Sequence, residues 1–206
     1  MKKTQKIKLI RMKIYRFECQ KCGLCCRNKN LIVTLTHRDL LSIYYGLKMK
    51  NVKDLLKIVA FYQVDVNNKE LMERLIYPVF YLKENYMLLG LFKINQTDCI
   101  YLKDNKCSIY ELRPQICRIF PFTFVEKSNH LKLQVNSIAS EICIGLNKGN
   151  IVDMKSLRNL WKKIIEEKEE YEKLISIWNN LVFNGILDPD PITFLNFILG
   201  NIKINI

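Results

Sequence analysis

Residues 79–94 read VFYLKENYMLLGLFKI, and residues 99–110 read CIYLKDNKCSIY. In both, apolar residues cluster on either side of a short polar break, with the period of a strand and not of a helix. The first stretch predicts a β-hairpin turning across Lys83, Glu84 and Asn85. The second predicts a hairpin turning at Asp104 and Asn105, with Cys99 and Cys107 on its paired arms. A third, FPFTFVEKSNHLKLQV from Phe120 to Val135, turns at Ser128 and Asn129.

On both sides of these hairpins the period is helical. Thr36 reads as a helix N-cap, with Asp39 at the third helical position and Leu40, Leu41, Tyr44 and Leu47 behind it. Gly46 marks where that helix weakens. Leu31 to Leu35, short and β-branched, reads as a strand or extended lead-in. A second helix is expected from about Val52 to Tyr62, with Val52, Leu55, Leu56, Val59 and Phe61 on one face, and a short one over residues 69–76. From Met154 onward Leu157, Leu160, Trp161, Ile164, Tyr171, Leu174, Ile175, Trp178, Leu181 and Val182 recur at helical spacing. Gly185 is a stop, and Asp190 with Pro191 opens a last helix. The change of period near residue 78 predicts an α+β fold. Small hairpins surround a cysteine-ligated metal site, with outer helices and a helical C-terminal part. Residues 17–149 form the cysteine-bearing domain, 150–206 a helical extension, and 1–16 a basic arm in which Lys6 to Ile10 could be an edge strand.

A chain of 206 residues buries about 70% of its unfolded surface and needs no disulfides to fold. Its first sixteen residues are rich in Lys and Arg, with no apolar run of the kind that export requires, and no stretch approaches a membrane span. A cytosolic, reducing setting is therefore expected, where clustered cysteines bind metal or act catalytically. The net charge of +13 allows an acidic protein or nucleic acid as partner, although no nucleic-acid-reading motif accompanies it.

The eight cysteines are Cys19, Cys22, Cys25, Cys26, Cys99, Cys107, Cys117 and Cys143. Eight thiolates divide into two four-ligand sets, which suits zinc or an iron–sulfur cluster. In CQKCGLCCR (residues 19–27) the C-x-x-C pair aims two sulfurs at one metal, and Gly23 lets backbone N–H groups approach them. Neighbouring side chains of extended backbone point to opposite sides. On that basis Cys25 and Cys26 would serve two sites, or opposite sides of one larger cluster, or leave one thiol free. Pro114 forces a turn before Cys117. Arg113 and Arg118 bracket that turn, where they could offset thiolate charge or donate to sulfur, or be ordinary surface arginines. His37 and His130 read as ordinary polar residues.

CQKCGLCCR, CIYLKDNKCSIYELRPQICRIFPF and CIGLNKG together resemble the YkgJ-like cysteine-cluster family, a zinc- or iron-chelating CxxCxxCC domain. Its pattern falls on the eight cysteines and on Tyr110, Arg113, Pro114, Arg118, Phe120, Pro121 and Gly145. The resemblance covers about residues 17–149 and implies a metal centre with Tyr110, Arg113 and Arg118 around its ligands. A relative of that family is the flagellin lysine methylase, which implies S-adenosylmethionine as a further cofactor. Neither a G-x-G-x-x-G loop nor the radical C-x3-C-x2-C spacing occurs here.

Three functions are compatible with these features. The first is a redox or protein-modifying enzyme carrying an iron–sulfur cluster, which accounts for the cysteine count, the doublet and the arginines. The second is a zinc-stapled module that binds nucleic acid or an acidic protein. The third is a metal carrier or sensor.

Overall fold

The computed structural model describes residues 14–127 and 130–202; the arm strand expected at residues 6–10 and the turn at Ser128 and Asn129 lie outside them. The fold is α+β. Its centre is a three-stranded antiparallel sheet in which β4 (Asn85–Leu91) lies between β2 (Val59–Gln63) and β3 (Phe80–Leu82). Leu82 pairs with Asn85 across Lys83 and Glu84, both at positive φ (46° and 65°), the left-handed pair that a two-residue hairpin turn demands. Beyond the end of β3, Thr34 bridges to Gly90, so the Leu31–Leu35 lead-in extends the sheet.

The expected helix from Val52 to Tyr62 is a correction. Only Val52–Lys57 is helical, as a 3-10 segment; from Val59 the chain is β2. Val59 and Phe61 face Leu91 and Leu89 of β4. Their apolar spacing resembles a helical face, but β4 offers a free edge, and pairing with it prevails over the local pattern.

Thr36 caps α1 (His37–Gly46) with a complete capping box closed by Asp39. The small α2 (Lys69–Arg74) follows β2. The 30-residue α5 (Met154–Phe183) and the shorter α6 (Pro191–Ile198), capped by Asp190, pack across the sheet. Trp178, fully buried, donates from Nε1 to Tyr81 O at 2.8 Å, and Asn179 Oδ1 accepts from Tyr81 N at 2.8 Å. These bonds occupy the otherwise open edge of β3. Phe194 of α6 stacks on Phe80 at 3.9 Å and meets Trp178 at 5.0 Å.

The cysteine-bearing segments are far shorter. β5 (Lys93–Ile94) pairs with β6 (Asp98–Cys99), and β7 (Leu102–Lys103) with β8 (Lys106–Cys107). A 3-10 turn at Tyr110–Leu112 precedes α3 (Gln115–Ile119). The hairpin of β9 (Phe122–Lys127) and β10 (His130–Val135) follows, then α4 (Ser137–Ile142). Finally β11 (Leu146–Ile151) returns to pair with β1 (Arg16–Phe17). That last pairing brings the segment after Cys143 beside the segment before Cys19. A second apolar cluster around Ile119, Phe122, Phe124, Leu133 and Ile164 joins these pieces to α5.

Candidate metal centre

Two glycines let the cysteine loops close on one another. Gly23, at φ 73°, sits so close to the β7–β8 turn that a β-carbon there would lie 2.7 Å from Asn105 O. The glycine thus presses the Cys19–Cys26 run against the hairpin that carries Cys107, a contact no side chain would permit. Gly145, two residues after Cys143, leaves a β-carbon only 2.3 Å from Glu18 O, and its own carbonyl accepts from Glu18 N at 3.2 Å. Cys143 is thereby tied to the residue before Cys19.

The result is a cavity of about 200 Å³ whose lining includes all eight cysteines. Its remaining wall is mostly apolar and includes Ile76, Ile116, Phe122 and, from α5, Trp161 and Ile164. Cys19 and Cys25 are exposed, Cys99 is buried, and the other five are partly buried. Among the described residues no group of three or more His, Cys, Asp or Glu side chains is arranged to hold one metal ion. The donors share a cavity and are all of one kind, soft cysteine sulfurs, and that composition suits zinc or iron.

The doublet differs from the expectation. Leu24–Cys26 is a 3-10 turn and not extended backbone. Its tight winding brings Cys25 Sγ and Cys26 Sγ to 4.0 Å, and both line the same cavity. The opposite-sides argument loses its geometric premise. The Cys26 thiol's hydrogen bond draws the Cys25 thiol down to about 7, outweighing the partial desolvation of its sulfur at the cavity, while Cys26, which shares that proton, is held above its ordinary value. Burial pushes Cys99, Cys107, Cys117 and Cys143 up. A metal must displace these protons to bind.

Cys99 and Cys107 are also not on paired arms. Cys99 pairs with Lys93 in one hairpin, and Cys107 with Leu102 in the next. The first of these hairpins, closed through Asn95 and Gln96 at positive φ, has no Asn-Gly or Asp-Gly signal and is not apparent in the sequence.

Around the sulfurs, Arg113 lines the cavity and lies 3.6 Å over the Tyr110 ring, which Lys21 also approaches at 4.7 Å. Burial raises the Tyr110 hydroxyl, and the neighbouring Cys19 thiol adds to the effect. Arg118 is placed differently. Its guanidinium donates to Arg113 O at 2.9 Å and to Glu111 O, so it closes the turn around Pro114 and is not among the cavity-lining residues. His37 is buried, with Nε2 3.6 Å from Glu170 Oε2.

Lys93 is the residue that sequence reasoning passed over. It is 9% exposed, and its Nζ donates to Asn28 O at 2.6 Å and Thr97 O at 2.8 Å. Burial lowers its pKa, while thiolate charge at Cys99 and Cys26 would raise it. It is a positive charge held behind the cysteines. The available signal was a lysine at an inward position of the otherwise apolar run LLGLFKI.

A family described as "Putative zinc- or iron-chelating domain", CxxCxxCC, matches residues 18–144. The chain is similar to uncharacterized protein MJ0939 of Methanocaldococcus jannaschii, with 26% identity over 82% of this chain and 49% of that protein. It is also similar to uncharacterized protein MJ0661 of the same organism, with 29% identity over 72% of this chain and 70% of that protein. It thus spans about half the length of the first of these relatives. No solved structure matches the chain. Among the described residues no helix is long and apolar enough to cross a membrane.

Proposed function

The chain belongs to the CxxCxxCC family and is a metal-binding cysteine-cluster protein; on that premise we propose that its cavity carries an iron–sulfur cluster. The supporting observation is that all eight cysteines line one cavity, twice the number a structural zinc takes. The 4.0 Å separation of the doublet sulfurs supports a single polynuclear site drawing on both. In this reading Cys19, Cys22, Cys25, Cys26, Cys99, Cys107, Cys117 and Cys143 are the ligand pool. Arg113 and Lys93 offset thiolate charge, and Tyr110 stands beside Cys19. Such a cluster supplies one-electron chemistry, tuned by the charge and hydrogen bonds around its sulfurs. The exposure of Cys19 and Cys25 gives an electron partner or an acidic protein substrate access to the centre, in keeping with the net charge of +13.

Anaerobic purification with absorbance, iron, zinc and acid-labile sulfide measurements tests this. The expected outcome is a coloured protein with iron and sulfide in equal amounts. Cys25→Ser and Cys26→Ser should each bleach the same absorbance. A colourless protein with zinc and no sulfide would replace the cluster with the zinc-stapled module, and unequal losses would restore two separate centres.

A further inference from the structure

Beside the cavity but outside its lining, two buried acids lie where α1, α3 and α5 meet. Asp39 and Glu167 are each 5% exposed. Asp39 Oδ2 accepts from the backbone N and the hydroxyl of Thr36 at 3.1 and 3.2 Å. Its other oxygen, Oδ1, accepts from Gln115 N at 3.1 Å. The Gln115 side chain reaches the opposite way, donating from Nε2 to Glu167 Oε1 at 3.3 Å. Glu167 Oε2 has no hydrogen-bond partner among the described residues, so inside the fold its hydrogen bonding goes to Gln115. Lys163, mostly exposed, approaches Oε1 at 3.7 Å.

Gln115 opens α3, and Cys117 follows two residues later. A helix of five residues cannot hold itself in place, because its nucleation cost is never recovered by propagation. Its position must come from outside contacts, and Gln115 is gripped at both its backbone and its side chain. Burying two carboxyl groups costs free energy that apolar side chains would not. What they contribute in return is directional hydrogen bonding.

We propose that Asp39 and Glu167 are positioning residues for the cysteine centre, which fix Gln115 from two sides and so set where Cys117 meets the cavity. The proposal rests on the reading of Cys117 as a metal ligand. Asp39 also closes the α1 capping box, so Glu167 is the cleaner residue to alter.

The test loads the full chain with Co²⁺ and reads the sulfur-to-cobalt charge-transfer absorbance per bound ion, with affinity from chelator competition. Glu167→Ala should lose the same share of that absorbance as Cys117→Ser and bind cobalt about tenfold more weakly. Glu167→Gln, which keeps the acceptor Oε1, should restore both. In a Cys117→Ser background Glu167→Ala should change nothing further, because the effect passes through Cys117. If Glu167→Ala fails to fold, Gln115→Ala removes the same side-chain arm without touching a buried charge. Equal weakening in both backgrounds, or an unaltered spectrum in Glu167→Ala or Gln115→Ala, overturns the clamp while leaving the metal reading intact. A Cys117→Ser variant with an unchanged spectrum removes Cys117 from the ligand set, and the clamp with it.

Discussion

Around Trp178 the interior is ring against ring. Phe194 lies at 5.0 Å, Phe197 at 5.5 Å, and Phe80 stacks on Phe194 at 3.9 Å. Around Cys26 the interior is thiol facing thiol, with the Cys25 sulfur at 4.0 Å and the other six cysteines lining the same cavity. The first region is framed by a seven-residue strand and a 30-residue helix. The second is framed by strands of two residues, a three-residue 3-10 turn and a five-residue helix. Long elements bury enough hydrocarbon to hold one another. Two-residue strands do not, so the cysteine region leans on its neighbours, with Cys99, Tyr101 and Ile109 buried in the same cluster as Trp178, and Ile119 and Phe122 packed with Ile164 of α5. It leans also on single contacts: the close approaches of Gly23 and Gly145, the Lys93 ammonium and the Arg118 guanidinium, each on backbone carbonyls. In this comparison the aromatic region is framed by long elements of its own, whereas the cysteine region is a set of loops that gather around a shared interior and pack their buried residues onto the aromatic cluster.

The sharpest way to break the comparison is to damage each half separately. Trp178→Ala should cost about 3–5 kcal/mol, seen as a lower urea midpoint whether or not metal is bound. If the loss were that large only in the metal-loaded protein, the aromatic region would not be an independent core. Gly23→Ala is the counterpart in the other half. It combines a left-handed φ with a β-carbon 2.7 Å from Asn105 O, a strain of about 1–3 kcal/mol. Hydrogen exchange should show faster opening at Leu102–Cys107 and metal content should fall, with α5 and α6 still protected. Loss of protection in α5 to the same degree would mean that the two regions unfold as one.

The smallest expected effect lies at their junction. Burial raises the carboxyls of both Asp39 and Glu167, and the Asp39 charge raises Glu167 further, against Lys163, Gln115 and Arg38. A carboxyl whose folded pKa lies above its unfolded one contributes stability that is complete below the ordinary carboxylate range. That contribution is lost as pH rises through the folded pKa. Asp54, Asp153, Glu170 and Asp190, whose carboxyls hydrogen bonds hold below the ordinary range, act in the opposite sense in parent and variant alike, so the expected signal is the difference. The urea midpoint of metal-free Glu167→Gln should rise relative to that of the parent from acid toward neutral pH. His37, whose pKa burial lowers, works in the opposite sense in both proteins. Parallel slopes for the two would show that Glu167 ionises in the folded chain as it does in the unfolded one.

The features readable from residues alone are those with a local cause. Thr36 and Asp39 form a capping box within four residues, and Asp190 with Pro191 opens α6. Lys83–Glu84 and Asp104–Asn105 turn back chains whose arms are adjacent in sequence. The apolar stripe of α5 repeats over 30 residues, long enough for period to identify it. The cysteine spacing likewise marked the family and its metal-binding character.

What needed tertiary structure is what depends on distant partners. Val59 and Phe61 are strand residues because β4 lies beside them, and no window around residue 60 contains β4. Cys99 faces Lys93 and not Cys107, because the Asn95–Gln96 turn takes left-handed backbone without the residues that usually announce it. Cys25 and Cys26 point into one cavity, because the positive φ of Gly23 starts a 3-10 turn where extended chain was expected. The sequence determined how many thiols there are and in what spacing, since those are properties of the chain. The fold decided which thiols share an interior, since that depends on the glycine contacts and on the β1–β11 pairing, which join residues far apart in the sequence.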